Sequence, residues 1–152
     1  MKTTALTIAA LLITATTTWA APMTIPDKDL AATLDAHVKA VQSRDLPALE
    51  KTITTGQALD LILPNGKRMT TRAEYVDLHR DWFKETNWTW KLEPLAVTIA
   101  TDMAIITART HYEEKEGAKV TATENYLSLA FRKEAGTWRL VHDQNTRIAT
   151  AP

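Results

Sequence analysis

The sequence predicts an α+β domain in which a curved antiparallel sheet wraps around helices that come first in the chain. Two observations carry this prediction. Apolar residues recur at helical spacing in the first half of the chain, and four long β-prone stretches separated by short turns fill the second half. Helices followed by a run of strands are typical of α+β domains.

The first helix is predicted over residues 28–43, and Asp27, which follows a proline, can cap its start. Its apolar residues recur every three or four positions: Leu30, Leu34, Val38 and Val41. Asp45 is a second capping candidate, and it opens a short helix that extends to Ile53 with Pro47 in its first turn. The two helices therefore follow each other with almost no linker.

A short strand is predicted at residues 59–63 and ends at Asn65-Gly66, a strong turn signal. Thr71 and Glu74 then have the spacing of a capping box, in which each side chain satisfies the other residue's free backbone N–H. The capping box opens a third helix over residues 73–86. Its apolar face carries Tyr75, Leu78, His79, Trp82 and Phe83.

The rest of the chain is predicted to form four strands at residues 89–100, 103–115, 119–133 and 137–149. The breaks between them fall at Thr101-Asp102, at Gly117 and at Gly136. Connections this short join antiparallel neighbours. We therefore expect a sequential antiparallel meander.

The last strand is the most informative part of the chain. Side chains alternate between the two faces of a strand, so Trp138 and Leu140 should lie on the same face. Continued alternation places His142 and Gln144 further along that face, as the polar wall of a pocket. The outer face would then carry Arg139, Val141, Asp143, Asn145 and Arg147.

This order of elements resembles the nuclear transport factor 2-like superfamily, over essentially all of residues 27–149. The most specific stretches are residues 44–49, the Asn65-Gly66 turn with residues 71–75, residues 102–106 and the strand that begins at Gly136. They look most like its SnoaL-like, or polyketide-cyclase-like, branch, which includes a widespread domain of unknown function. The resemblance implies a cone-shaped fold with a pocket at its open end. It also implies homodimers, which this family usually forms through the sheet.

The first residues resemble a secretory signal peptide. Lys2 precedes roughly eleven mostly apolar residues, and small residues follow up to a plausible cleavage site after Ala20. The apolar run is too short to span a membrane as a helix, which needs about 20 residues. The alternative is a tethered amphipathic helix. Cleavage would leave a short arm at residues 21–26 and a single domain at 27–149, so we expect a periplasmic or secreted protein without membrane contact.

Composition excludes several kinds of function. The chain has 18 basic and 18 acidic residues without a basic block, which argues against nucleic acid and anionic membranes as partners. It has no cysteine, and neither Ser43 nor Ser128 lies in a Gly-x-Ser-x-Gly motif, so a serine or cysteine nucleophile is not expected. The four histidines are widely spaced and the four glycines stand singly. We therefore predict no metal site, no phosphate-binding loop and no cofactor.

The predicted pocket residues are aromatic, imidazole or amide side chains. His79 is a candidate acid, base or hydrogen-bond donor, although a buried histidine with one structural partner is the alternative. Asn125 is an uncharged hydrogen-bonding group, and His142 could contact a ligand or simply pair with Gln144. The tryptophans could equally form ordinary core. The full predicted set is Tyr75, His79, Trp82, Trp90, Asn125, His142 and Gln144.

Two functions are consistent with this set. The first is a non-catalytic exported protein whose cone binds a small, largely apolar molecule, because no carboxylate base is evident. The second is a cofactor-independent isomerase, cyclase or hydrolase in which His79 or His142 is the acid–base group. Steroid isomerases and epoxide hydrolases of the superfamily that this chain resembles use buried carboxylates assisted by hydrogen-bond donors. A titratable group with a perturbed pKa inside the cavity, with a second polar group within reach, would favour an enzyme.

Overall fold

The computed structural model describes residues 23–149 of the 152-residue chain. The predicted signal peptide at residues 1–20 lies outside the described residues and stays a prediction. Within the described part, no helix is long and apolar enough to cross a membrane.

The three helices begin where the sequence predicts, and each start is capped by a side chain. They are α1 (Lys28–Ser43), α2 (Leu46–Glu50) and α3 (Arg72–Trp82). Asp27 accepts hydrogen bonds from two backbone N–H groups of α1, Asp45 accepts one from α2, and the capping box of α3 is complete. Helix α3 ends at Trp82, before the expected residue 86, because the chain tightens there into turns with bonds to the third residue back.

Six strands form one sheet in the order β2-β1-β6-β5-β4-β3. They are β1 (Ala58–Ile62), β2 (Arg68–Thr71), β3 (Trp88–Ile99), β4 (Met103–Glu116), β5 (Lys119–Glu134) and β6 (Thr137–Arg147). Strands β3 to β6 form the predicted antiparallel meander, whereas β1 pairs with β6 in parallel. Strand β2 was not predicted, although a strand returning from the Asn65-Gly66 turn is what that hairpin signal implies.

The apolar end of β6 faces the interior, as predicted. Trp138, Leu140 and Phe131 are 1%, 0% and 0% exposed and belong to one buried cluster with Leu30 and Leu34 of α1. A curved sheet thus packs its inner face against the helices.

Strand β6 contains one residue more than its partner. Phe131 of β5 pairs with Leu140, but the preceding residue on β5, Ala130, pairs with His142. Val141 therefore has no partner on β5 and forms a β-bulge. An extra residue of this kind bends a strand and reverses the face of every residue that follows it.

The expected alternation of β6 is consequently wrong beyond Leu140. Asp143 pairs with Leu129 and Leu61 on the inner face and is 7% exposed, and Asn145 shares that face. His142 and Gln144, which were expected inside, lie on the outer face instead. Because of the bulge, the inner face carries the carboxyl group of Asp143 and the amide of Asn145 in place of the predicted His142 and Gln144.

Candidate active site

A cavity of about 300 Å³ lies between the inner face of the sheet and helices α1 and α3. Its walls are mostly aliphatic residues of β1, β3 and β5 together with Trp82 and Trp90. Five other lining residues carry polar groups: His37, Tyr75, His79, Asp143 and Asn145. Among the described residues, none that lines the cavity is a lysine or an arginine, so the cavity offers no fixed positive charge.

Asp143 is the titratable carboxyl of the cavity. It lies between Leu61 on β1 and Leu129 on β5, so two apolar side chains flank it across the sheet. Burial raises its pKa to about 7, against the opposing effect of a hydrogen bond of 2.9 Å donated by the amide of Asn145. Asp143 is therefore close to half ionised at neutral pH.

His79 is a neutral imidazole in the wall of the cavity. Its Nδ1 lies 2.8 Å from the backbone oxygen of Tyr75, one turn earlier on α3. A carbonyl oxygen only accepts, so Nδ1 carries the proton, and the Nε2 of the neutral ring has a lone pair. Burial lowers the pKa of His79 to about 4, although the hydrogen bond to Tyr75 opposes that shift, and the ring stays neutral at pH 7.

His37 on α1 has the same tautomer for a different reason. Its Nδ1 lies 2.8 Å from the hydroxyl oxygen of Thr52, and that hydroxyl also lies 2.7 Å from the backbone oxygen of Leu49. The single hydroxyl proton goes to the carbonyl, so His37 Nδ1 must be the donor to Thr52. Burial, and secondarily repulsion from His79 when that ring is protonated, lowers the pKa of His37 to about 3.

Tyr75 adds a neutral hydroxyl to the residues that line the cavity with Asp143. Its side chain is 0% exposed, and its ring stacks on His79 with the centroids 4.2 Å apart. Burial raises the pKa of Tyr75 well above 10, and the charge of Asp143 adds to that shift. Its hydroxyl has no partner among the described residues, which is rare for a buried polar group.

These groups can support proton transfer near neutral pH. Asp143 can take up or release a proton there, while Tyr75, His37 and His79 stay uncharged and can only form hydrogen bonds. Within residues 23–149, no cluster of three or more acidic, histidine or cysteine residues could hold a metal ion.

The predicted pocket residues divide into two groups. Tyr75, His79, Trp82 and Trp90 line the cavity. Asn125 is buried on the inner face but lies outside the lining, beside Thr110, whose hydroxyl is 3.5 Å from the Asn125 backbone oxygen. His142 and Gln144 are outside the cavity because of the bulge at Val141.

Sequence reasoning missed three polar residues of the site. His37 was recognisable, because it lies among the apolar residues of α1 at helical spacing. Asp143 and Asn145 carried no such signal, since strict alternation assigned both to the outer face. Their position depends on pairing with residues distant in the sequence.

Comparison with known proteins identifies the fold and a family. The model of the SnoaL-like domain matches residues 30–147. No curated protein matches the chain.

Solved structures share the fold at low sequence identity. A "putative dehydratase" of the NTF2-like family from Streptomyces avermitilis has a TM-score of 0.72 at 14% identity, covering 82% of this chain and 100% of its own. A nuclear transport factor 2-like superfamily protein from Salmonella enterica has a TM-score of 0.70 at 15% identity, with 82% and 92% covered. The CaMKII hub of S. rosetta has a TM-score of 0.66 at 23% identity, with 83% and 99% covered.

Proposed function

This chain belongs to the family of SnoaL-like domains, and we propose that it is a cofactor-independent enzyme that moves a proton on a small, uncharged, largely apolar molecule. The observation that supports the proposal is the carboxyl group of Asp143, buried in an apolar wall with its pKa raised to about 7. A catalytic acid or base is most effective when its pKa lies near the working pH. Strongly perturbed groups in a cavity are also enriched at functional sites.

The neighbouring groups suggest the roles in such a reaction. Ionised Asp143 accepts a proton from the bound molecule, and the protonated form returns it at another atom. The buried hydroxyl of Tyr75 is enclosed and has no partner among the described residues, so it can donate to an oxygen atom of the substrate once a side-chain movement exposes it. Isomerisation, cyclisation and elimination of water next to a carbonyl group all begin with a proton transfer of this kind. The walls favour an uncharged substrate because they offer no cation.

Binding without chemistry is the second candidate, and the predominantly aliphatic and aromatic walls favour it. A carrier would need the cavity but not the titration of Asp143. The two candidates therefore differ in what the loss of one carboxyl group does.

Exchange of the α-hydrogens of 2-tetralone in D2O, followed by NMR, tests the proposal. The wild-type protein should accelerate exchange, with a rate that rises as the pH passes about 7 and Asp143 ionises. Asp143→Asn should lower the rate by at least about 100-fold, the usual value of one general base, while 2-tetralone still binds. Asp60→Asn is the matched control, because that aspartate faces outward on the neighbouring strand and pairs with Arg68. Binding without accelerated exchange would support the carrier, and accelerated exchange that is equal in the wild type and Asp143→Asn would exclude Asp143 as the base.

We also propose that the protein is exported, on the strength of its first 20 residues. Expression of the full chain in a bacterium should yield a periplasmic protein whose intact mass is that of a chain beginning at Ala21. A full-length product confined to the cytoplasm would contradict this proposal.

A further inference from the structure

Both histidines of the cavity wall use the same ring nitrogen for their hydrogen bond to the protein. The Nδ1 of His79 is held by the Tyr75 backbone oxygen, and the Nδ1 of His37 is held by Thr52. Neither Nε2 has a hydrogen-bond partner among the described residues, and neither is fully enclosed, in contrast to the Tyr75 hydroxyl. Both rings line the cavity, so an Nε2 without a protein partner is available to a molecule bound there.

The protein itself makes both open nitrogen atoms acceptors. Each Nδ1 must carry the ring proton, since its partner is a carbonyl oxygen or a hydroxyl already donating to the Leu49 oxygen. Burial keeps both rings neutral, so Nε2 cannot gain a proton at neutral pH. The tautomer is therefore independent of whatever occupies the cavity.

The other polar groups do not balance these acceptors. Ionised Asp143 also accepts, and the amide of Asn145 already donates to Asp143 and to the Ile62 backbone oxygen, at 2.9 and 3.4 Å. The remaining donors among the described lining residues are the enclosed hydroxyl of Tyr75 and the indole N–H groups of Trp82 and Trp90, and none of them bonds Nε2 of His37 or His79. An acceptor buried against a ligand without a donor loses its hydrogen bond to water and gains none.

We infer that the ligand of this cavity carries an alcohol or phenol group on an uncharged, largely apolar skeleton, and that this hydroxyl donates to Nε2 of His37 or His79. This inference depends on the proposed function only in placing the ligand in the same cavity. Thr52 is then a positioning residue, because its hydroxyl fixes which nitrogen of His37 is free.

The first test is the ring tautomer of each histidine in the unliganded protein, read from nitrogen-15 NMR of the imidazole groups. We expect protonated Nδ1 and unprotonated Nε2 in both His37 and His79 at pH 8. A proton on Nε2 of either ring overturns the inference. This measurement requires no ligand and no activity.

The second test is the affinity of two matched probes, 2-naphthol and 2-methoxynaphthalene, at pH 8. The phenol should bind at least about tenfold more tightly, because the ether cannot donate a hydrogen bond. Equal affinity, or no binding of either probe, overturns the inference.

Variants separate this inference from the role of Asp143. Thr52→Val keeps the shape but removes the acceptor of His37 Nδ1, so the preference for the phenol should shrink, whereas Thr52→Ser should retain it. Asp143→Leu abolishes proton transfer under the proposed function yet should keep the preference. If Asp143→Leu loses the preference for the phenol and Thr52→Val keeps it, the ligand hydroxyl donates to Asp143. That result would overturn the assignment to the histidines. Should Thr52→Val fail to fold, the wild-type probe pair and the ring tautomers still decide.

Discussion

Folding shifts the pKa values of Asp143 and of the two buried histidines in opposite directions. Asp143 keeps its proton up to a pKa of about 7 in the folded protein, so its stabilising contribution is present at low pH and is lost as the pH rises from about 4 to 7. His37 and His79 have pKa values lowered to about 3 and 4. Their contribution is present above the unfolded pKa of 6.5 and is lost as the pH falls.

These shifts predict how the free energy of unfolding changes between pH 5 and 6. In this range the unfolded chain holds two protons, on His37 and His79, that the native state lacks. The native state holds one proton, on Asp143, that the unfolded chain lacks. Stability of the wild type should therefore rise by about 1.4 kcal/mol per pH unit, and that of Asp143→Asn by about 2.7 kcal/mol per pH unit. Denaturant titrations at several pH values measure both slopes.

Gln144→Leu serves as the control for this prediction, since Gln144 is the exposed neighbour of Asp143 and does not titrate. Its slope should equal that of the wild type. Equal slopes for the wild type and Asp143→Asn would show that Asp143 does not hold a proton in this range.

At the scale of elements, the bulge in β6 coincides with a change of neighbour. Leu140 exchanges backbone hydrogen bonds of 2.9 Å with Thr52 and Thr54, whereas His142 already pairs with Asp60 of β1. Val141 lies between these two pairings. The inserted residue therefore lets β6 pair first with the Thr52–Thr54 backbone and then with β1, and it bends the sheet around the cavity.

Deletion of Val141 should leave Asp143 inside the cavity. Leu140 would then be followed directly by His142, which keeps its place opposite Ala130, so regular alternation still turns Asp143 inward. A carboxyl titration by carbon-13 NMR should continue to show a pKa near 7.

Deletion of Gln144 is the matched comparison, because it removes a regularly paired residue of the same strand. It should turn Asn145 outward and remove the hydrogen bond that lowers the pKa of Asp143, so that pKa should rise. A return of the Asp143 pKa toward 4 after deletion of Val141 would show that the bulge holds Asp143 inside.

At the scale of the whole molecule, we propose a homodimer through the outer face of the sheet. Ile105 and Tyr126 are 51% and 47% exposed on β4 and β5. The small residues Ser128 and Ala130 lie beside them on β5, which permits close approach. The part of β6 next to them carries His142 and Gln144 rather than the acidic and amide residues expected there.

Light scattering at about 100 μM should therefore show a dimer, because this concentration is well above the micromolar dissociation constant of a modest interface. Tyr126→Glu should yield a monomer, since a two-fold axis repeats the charge in both copies. Val120→Glu is the control, because Val120 is similarly exposed, at 54%, near the β4–β5 turn. A monomeric wild type would contradict the proposal.

Local sequence determined most of the fold. Apolar periodicity predicted α1 and α3, β-prone stretches between short turns predicted the meander, and Asp27, Asp45 and Thr71 marked the helix starts. These signals act over a few residues, so one chain suffices to read them. The same holds for the inward face of Trp138 and Leu140.

The chemistry of the cavity was decided by the tertiary structure. Whether Asp143 or His142 faces inward depends on one unpaired residue, and that residue is set by pairing with β5, β1 and the Thr52–Thr54 backbone. The raised pKa of Asp143 likewise requires burial between Leu61 and Leu129, which lie far from it in the sequence. Strand alternation is a local rule, whereas a bulge results from contacts between distant segments, so the sequence alone led to the outer residues of β6 instead of the inner ones.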